Sequence, residues 1–434
     1  MAFSDGFEVW YFVFVFTQVL LVFYISYFFK RVSNLFSVMT ILFWISYQYP
    51  ILFYLDIIEF QANITLVAEK YVESAFYYSM LFKLSFDFAY VGWMKLRKSK
   101  PSFNNGHGLN INFSRKFKIS SSWIFFVLVV AGTCLILGLK GNLLALFAPP
   151  SRFFGEETLL NIYKIFSLLA LLMVLYRHYN YRKNHILLFV ALILALAYSM
   201  AIFSRAVVIP FALYFVMRFI YSSSGWKQFL TIVVTGIVYF NAIYGRGAEL
   251  GIINFFASII ELIPVIPDLT SFVMATVSGQ ATLTLTLSGV EEGQIRLPTN
   301  VTQFLLYISP IPSFLLDTSK FYAYQSLTPH FGFPIGINTD LVGESILWFG
   351  SGYFCFGAAL GLLFSFVDGR LDKAKVYHLL FFACCVFSGL SSVASIRAAS
   401  RFIIYAFVFM WGWKFAAFLT SIARKNGESR KICS

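Results

Sequence analysis

The chain has 434 residues, of which 59% are hydrophobic and only 12% charged, with a mean hydropathy of +0.76. A soluble domain carries about 25% charged residues, so this chain cannot cover its surface with polar groups and lipid is its expected solvent. The net charge of +13 falls in basic clusters between apolar runs, which is an orientation signal rather than a duplex-binding patch, and no nucleic acid is expected as a partner.

The length suits roughly ten or eleven spans of about 20 residues with modest loops. Eleven are placed: Phe7 to Phe29, Leu35 to Leu55, Tyr71 to Met94, Trp123 to Leu139, Leu159 to Tyr176, Ile186 to Phe203, Ala206 to Tyr221, Phe229 to Tyr244, Leu341 to Phe366, Val376 to Val393, and Phe402 to Thr420. The expectation is an all-α polytopic integral membrane protein, a single membrane domain over residues 1–434. Asp5 and Glu8 precede the first run, with no basic stretch before it, so that run reads as a permanent span and not a cleaved signal. The clusters Lys30-Arg31, Lys95 to Lys118, Arg177-Arg182-Lys183, Lys227, Arg370-Lys373-Lys375 and Arg424 to Lys431 then all fall inside. That puts the N-terminus outside and the C-terminus in the cytoplasm.

Lys83 and Asp87 stand four apart on the third span, where charges are costly. They can pair along one helix face, either as a self-neutralised structural pair or as part of an ion pathway. After the eighth span comes the longest loop, residues 245–340, on the outer side. Its runs GIINFFASIIELIPVI, LTSFVMATV and VTQFLLYISPIPSFLL are too apolar for a solvated loop and too short for spans. They suit interfacial or re-entrant helices.

Six arginines fall on the outer side, against the usual bias: Arg152, Arg205, Arg246, Arg296, Arg397 and Arg401. A bound anion explains them, because a guanidinium fork matches phosphate or carboxylate. Arg205 sits at a span junction, Arg246 lies between glycines in YGRGAELG, and Arg397 and Arg401 are spaced to share a helix face in SIRAASRF. The alternative is that each pairs with an outer acid. The segment SLTPHFGFPIGINTDLVGESILWFGSGYFCFGAALG carries His330, Asp340 and Glu344. Asp340 and Glu344 are one helical turn apart at the outer end of the ninth span. An unpaired carboxylate there would be desolvated and suited to proton abstraction; Asp340 reads equally as a helix N-terminal residue favoured by the dipole. The five cysteines show no disulfide framework and no zinc spacing, and no metal or cofactor is expected.

The stretch PIGINTDLVGESILWFGSGYFCFGAALG resembles a segment of the bacterial oligosaccharide repeat-unit polymerases, the Wzy-type O-antigen polymerases. Gly343-Glu344, Phe349-Gly350 and Gly352 match a pattern that opens a late span in that family. Ser204-Arg205, the GRG from Gly245 to Gly247, and Arg397 with Arg401 resemble its arginine positions. The likeness covers roughly Ile202 to Phe415 in short motifs. It implies a GT-C-like glycosyltransferase in the bacterial inner membrane, with its active site facing the periplasm. Such an enzyme joins undecaprenyl-pyrophosphate-linked oligosaccharides into O-antigen or a related surface polysaccharide of the lipopolysaccharide type. Membrane lipids surround it, and the resemblance leaves room for a chain-length-regulating membrane protein as a partner. It implies that Arg205, Arg246, Arg296, Arg397 and Arg401 hold the pyrophosphate, and that Glu344, Asp340 or His330 serves the acceptor hydroxyl. An O-antigen ligase and a polysaccharide flippase or transporter are the rival readings.

Overall fold

A computed structural model of the protein describes residues 6–29, 34–55, 69–99, 120–151, 154–181, 185–204, 249–265, 279–293, 301–309, 339–371, 376–391 and most of 396–411, with isolated positions between 207 and 242 and at 295. Among the described residues every regular element is helical and none is a strand. In chain order they are α1 (Phe7–Phe29), α2 (Leu35–Phe43), α3 (Tyr49–Tyr54), α4 (Val72–Ser99), α5 (Ser121–Gly138), α6 (Glu157–Tyr181), α7 (His185–Ala201), α8 (Ile252–Val265), α9 (Gly279–Glu291), α10 (Val301–Ile308), α11 (Leu341–Phe349), α12 (Tyr353–Asp368) and α13 (Val376–Leu390). Helical residues follow again between 396 and 411.

Five of these stretches are long and apolar enough to cross a membrane: Phe7–Phe29, Leu35–Leu52, Ser121–Gly138, Glu157–Leu175 and Leu341–Asp368. Their outer faces carry exposed Phe16 and Phe23 on α1 and Trp123 and Phe125 on α5. Water does not tolerate such continuous apolar surface, and the chain is a helical membrane protein. Helices stand at the first six expected spans and at the ninth and tenth. The seventh and eighth lie outside the described residues, scattered positions aside. In the segment 245–340, helices form at Ile252–Val265 and Val301–Ile308, inside two of the three apolar runs; LTSFVMATV is outside the described residues.

The chain divides into two compact units, Met1–Asn105 with Thr270–Ser434, and Gly106–Leu269. In the first, α12 lies along α4. Gly357 and Gly361 face α4 four residues apart, and a Cβ on Gly361 would sit 2.2 Å from the Phe86 carbonyl oxygen. Small residues at this spacing let two backbones approach, which is how helices associate where lipid removes the hydrophobic drive. Ser85 Oγ donates to the Phe354 carbonyl at 2.8 Å across the same seam. At the far end of α12, Asp368 accepts from the Leu35 amide at 2.7 Å and the Tyr90 hydroxyl at 2.6 Å, fixing the start of α2. The ladder of α2 widens to a π-helical turn at Trp44–Gln48. Pro50 comes two residues after Gln48; it has no N–H, and its ring would press on the Ser46 carbonyl in an α-turn. The wider turn relieves that clash and sets Tyr47 and Ser46 toward α9, where Ser46 Oγ accepts from the Gly279 amide at 2.9 Å.

Lys83 and Asp87 pair along the buried face of α4. Gln18 of α1 closes the set: its Oε1 accepts from Lys83 at 2.6 Å and its Nε2 donates to Asp87 at 2.7 Å. Lys83 also lies 4.6 Å from the Phe36 ring centre. In the second unit, α5 and α6 run antiparallel, tied by the Glu156 amide on the Gly138 carbonyl at 2.8 Å. Gly251 opens α8 at φ 132, and a Cβ there would lie 2.0 Å from the Phe147 carbonyl oxygen, so only glycine fits.

Candidate functional site

The site is built where α11 starts. Asp340 is the N-cap of that helix, with Oδ1 accepting from the Val342 amide at 2.9 Å and the Gly343 amide at 3.0 Å. The Tyr47 hydroxyl donates to the same oxygen at 2.6 Å, and Thr282 Oγ1 of α9 lies 3.1 Å from the other. This satisfies orphan amides of a helix end that is wholly buried. Gly343 is needed for the approach of α9: a Cβ there would meet Asp340 Oδ2 at 2.8 Å and Thr286 Oγ1 at 3.0 Å.

Glu344 lies one turn on and is 1% exposed. The Tyr307 hydroxyl of α10 donates to its Oε1, and the Ile396 amide donates to its Oε2. Tyr307 is itself fixed by its ring, 5.0 Å from that of Trp348 on α11. The Leu341 amide donates to the Ser391 carbonyl at 2.9 Å, which ties α11 to the end of α13. Glu344 thus gathers three chain segments: α10, α11 and the stretch that begins at Ile396.

Arg397 follows Ile396 directly and is 3% exposed; Arg401 stands one turn further and is partly exposed. Two of the expected site groups, the carboxylate pair and the SIRAASRF arginines, are therefore brought to one place through the Ile396 amide. His330, Arg205, Arg246, Arg296 and Arg152 lie outside the described residues. Among the described residues no group of three or more His, Cys, Asp or Glu side chains could hold a metal ion.

Sequence reasoning missed Tyr47, Tyr307 and Thr282. The chain has 25 tyrosines, and nothing local marks these two. The run TLTLTL alternates with the period of a strand, yet α9 is a helix. There Thr284 and Thr286 return their hydroxyls to carbonyls three and four residues back, at 2.7 and 2.8 Å.

Chemically, the arrangement offers one saturated carboxylate and one with spare capacity. A carboxylate has about four lone-pair positions. Among the described residues Asp340 spends its own on the helix end and its neighbours, whereas Glu344 takes two donors, which leaves part of its lone-pair capacity unused. No family model, no curated protein and no solved structure matches the chain.

Proposed function

We propose that this protein polymerises undecaprenyl-pyrophosphate-linked oligosaccharide repeat units into a surface polysaccharide, as a glycosyltransferase at the outer face of the bacterial inner membrane. Eleven spans, a GT-C-like fold and a periplasmic site belong to this reading. The observation that carries it is the bond from the Ile396 amide to Glu344. It joins the Gly343-Glu344 motif to the Arg397 and Arg401 motif, two segments that the resemblance assigns to one reaction.

In this mechanism the arginines offset charge on the donor pyrophosphate: Arg397 and Arg401, with Arg205, Arg246 and Arg296 as further candidates. Glu344 takes the proton of an acceptor sugar hydroxyl. The freed oxygen bonds to the anomeric carbon of the donor glycan. The bond from that carbon to the pyrophosphate oxygen breaks, and undecaprenyl pyrophosphate leaves with the electron pair. Guanidinium groups stabilise the leaving oxygen as charge builds there. Tyr307 orients the carboxylate, and Asp340 holds the helix that presents it.

The transporter reading rests on Lys83 and Asp87, and these are enclosed by Gln18 and an aromatic ring, which favours a structural role. The test is the surface glycan after deletion of the gene. Single capped repeats are expected. Uncapped lipid-linked polymer would instead mark a ligase, and intermediates trapped on the cytoplasmic side a flippase.

A further inference from the structure

The connection from α5 to α6 joins two helices that are each long and apolar enough to cross a membrane. It therefore marks a boundary between lipid and water. Within it, a pocket of about 220 Å³ is lined by Leu139, Lys140, Asn142, Pro150, Phe154 and Gly155. That is too small for a drug-sized ligand, which takes ~300 Å³ or more, and it has the scale of a headgroup.

Both polar side chains of the lining are exposed, and neither has a partner among the described residues. Lys140 has a left-handed backbone, φ 52, at the end of α5. The helix is closed there by backbone alone, Lys140 N–H to the Leu137 carbonyl at 2.9 Å and Gly141 N–H to the Ile136 carbonyl at 2.8 Å. Glycine suits that position best, yet a lysine occupies it, with no ion-pair partner among the described residues. Asn142 precedes the turn Leu143–Leu146 as its N-cap residue, but its side chain makes no capping bond. Beside the pocket Leu143, Leu144 and Phe147 are exposed, Leu144 at 77%. The exposed acid Glu156 directly follows Gly155 of the rim, its amide held on the Gly138 carbonyl, whereas Glu157 acts on Lys164 and Tyr198.

We propose that this pocket binds the phosphoethanolamine headgroup of a membrane phospholipid. Lys140 and Asn142 donate to the phosphate oxygens, which need donors only. Glu156 receives the ammonium, and Leu143, Leu144 and Phe147 lie against the acyl chains. Lys140 in the lining and Glu156 directly beside it give the rim both signs, which favours a zwitterionic headgroup over a purely anionic one. The site lies within the unit Gly106–Leu269 and is independent of the reaction proposed above.

The test uses the full-length protein, delipidated in detergent and titrated under native mass spectrometry. The probes are dioleoylphosphatidylethanolamine, dioleoylphosphatidylglycerol, dioleoylglycerol and soluble phosphoethanolamine. The first should bind most tightly, and dioleoylglycerol, which lacks phosphate, far more weakly. Lys140→Gly suits the left-handed backbone and leaves the fold intact, so it reads the ammonium alone. It should weaken the phosphatidylethanolamine adduct roughly tenfold, the loss of one charge-assisted bond, with a melting temperature at or above that of wild type. Glu156→Gln should erase the preference over phosphatidylglycerol. Equal binding of dioleoylglycerol, or wild-type lipid binding by Lys140→Gly, would overturn the proposal. So would displacement of the lipid by soluble phosphoethanolamine at equal concentration, which would mark a site for free phosphates.

Discussion

Each acid at the head of α11 meets a tyrosine hydroxyl, but the two differ in what remains free. Asp340 takes two backbone amides and the Tyr47 hydroxyl on one oxygen, and Thr282 stands at the other. Glu344 takes one hydroxyl and one amide, on separate oxygens. The first pattern belongs to a helix cap, and the second leaves lone pairs of the carboxylate unused among the described residues. Tyr307→Phe separates orientation from chemistry: the ring and its stacking on Trp348 stay, and only the donor goes. A lost buried donor of this kind costs about 1–3 kcal/mol. The variant should therefore make polymer at a rate reduced roughly ten- to a hundredfold, with protein abundance near wild type, as read by glycan ladder and immunoblot. A wild-type ladder would remove Tyr307 from the mechanism. The placement of Asp340 and Glu344 one turn apart at the start of a helix was readable in the sequence because four residues make about one helical turn. Their tyrosine partners were not, because Tyr47 and Tyr307 lie 293 and 37 residues away and reach the acids only through tertiary packing.

Elements were legible where a long apolar run meets a clear stop. α1 begins and ends at Phe7 and Phe29, as expected. The internal detail was hidden wherever packing overrides local pattern. The π turn before Pro50 is a response to a missing N–H and to the demand of α9 for Ser46. The seam between α4 and α12 rests on Gly357 and Gly361, which in sequence were only part of a glycine-rich span. Gly361→Ala tests that seam. Its Cβ cannot coexist with the Phe86 carbonyl, and overpacking of this kind costs about 1–3 kcal/mol. Its melting temperature in detergent should fall. Gly92→Ala is the control on α4, since nothing lies within 4 Å of the added carbon; it should hold or raise stability, because alanine is the better helix former. If both variants melt like wild type, α12 does not depend on close approach to α4.

At the scale of the molecule, composition and long apolar runs were enough to identify a helical membrane protein, and five stretches pass the test of length and apolarity. The two-unit division was not legible, because it depends on which distant segments pack together: residues 270–434 join 1–105 while 106–269 pack on their own. That arrangement lets α9 and α10, from a segment read as one outer loop, supply Thr282 and Tyr307 to a helix that begins after it. The functional claim turns on Glu344, and one experiment addresses it directly. Purified wild-type protein and Glu344→Gln are each reconstituted with undecaprenyl-pyrophosphate-linked repeat units, and the products are resolved as a ladder alongside retained lipid-linked substrate. Wild type should build the ladder, and Glu344→Gln should bind the substrate but build none. A ladder of wild-type rate and length from Glu344→Gln would contradict a general-base role for this carboxylate, and no ladder from wild type would contradict the polymerase reading itself.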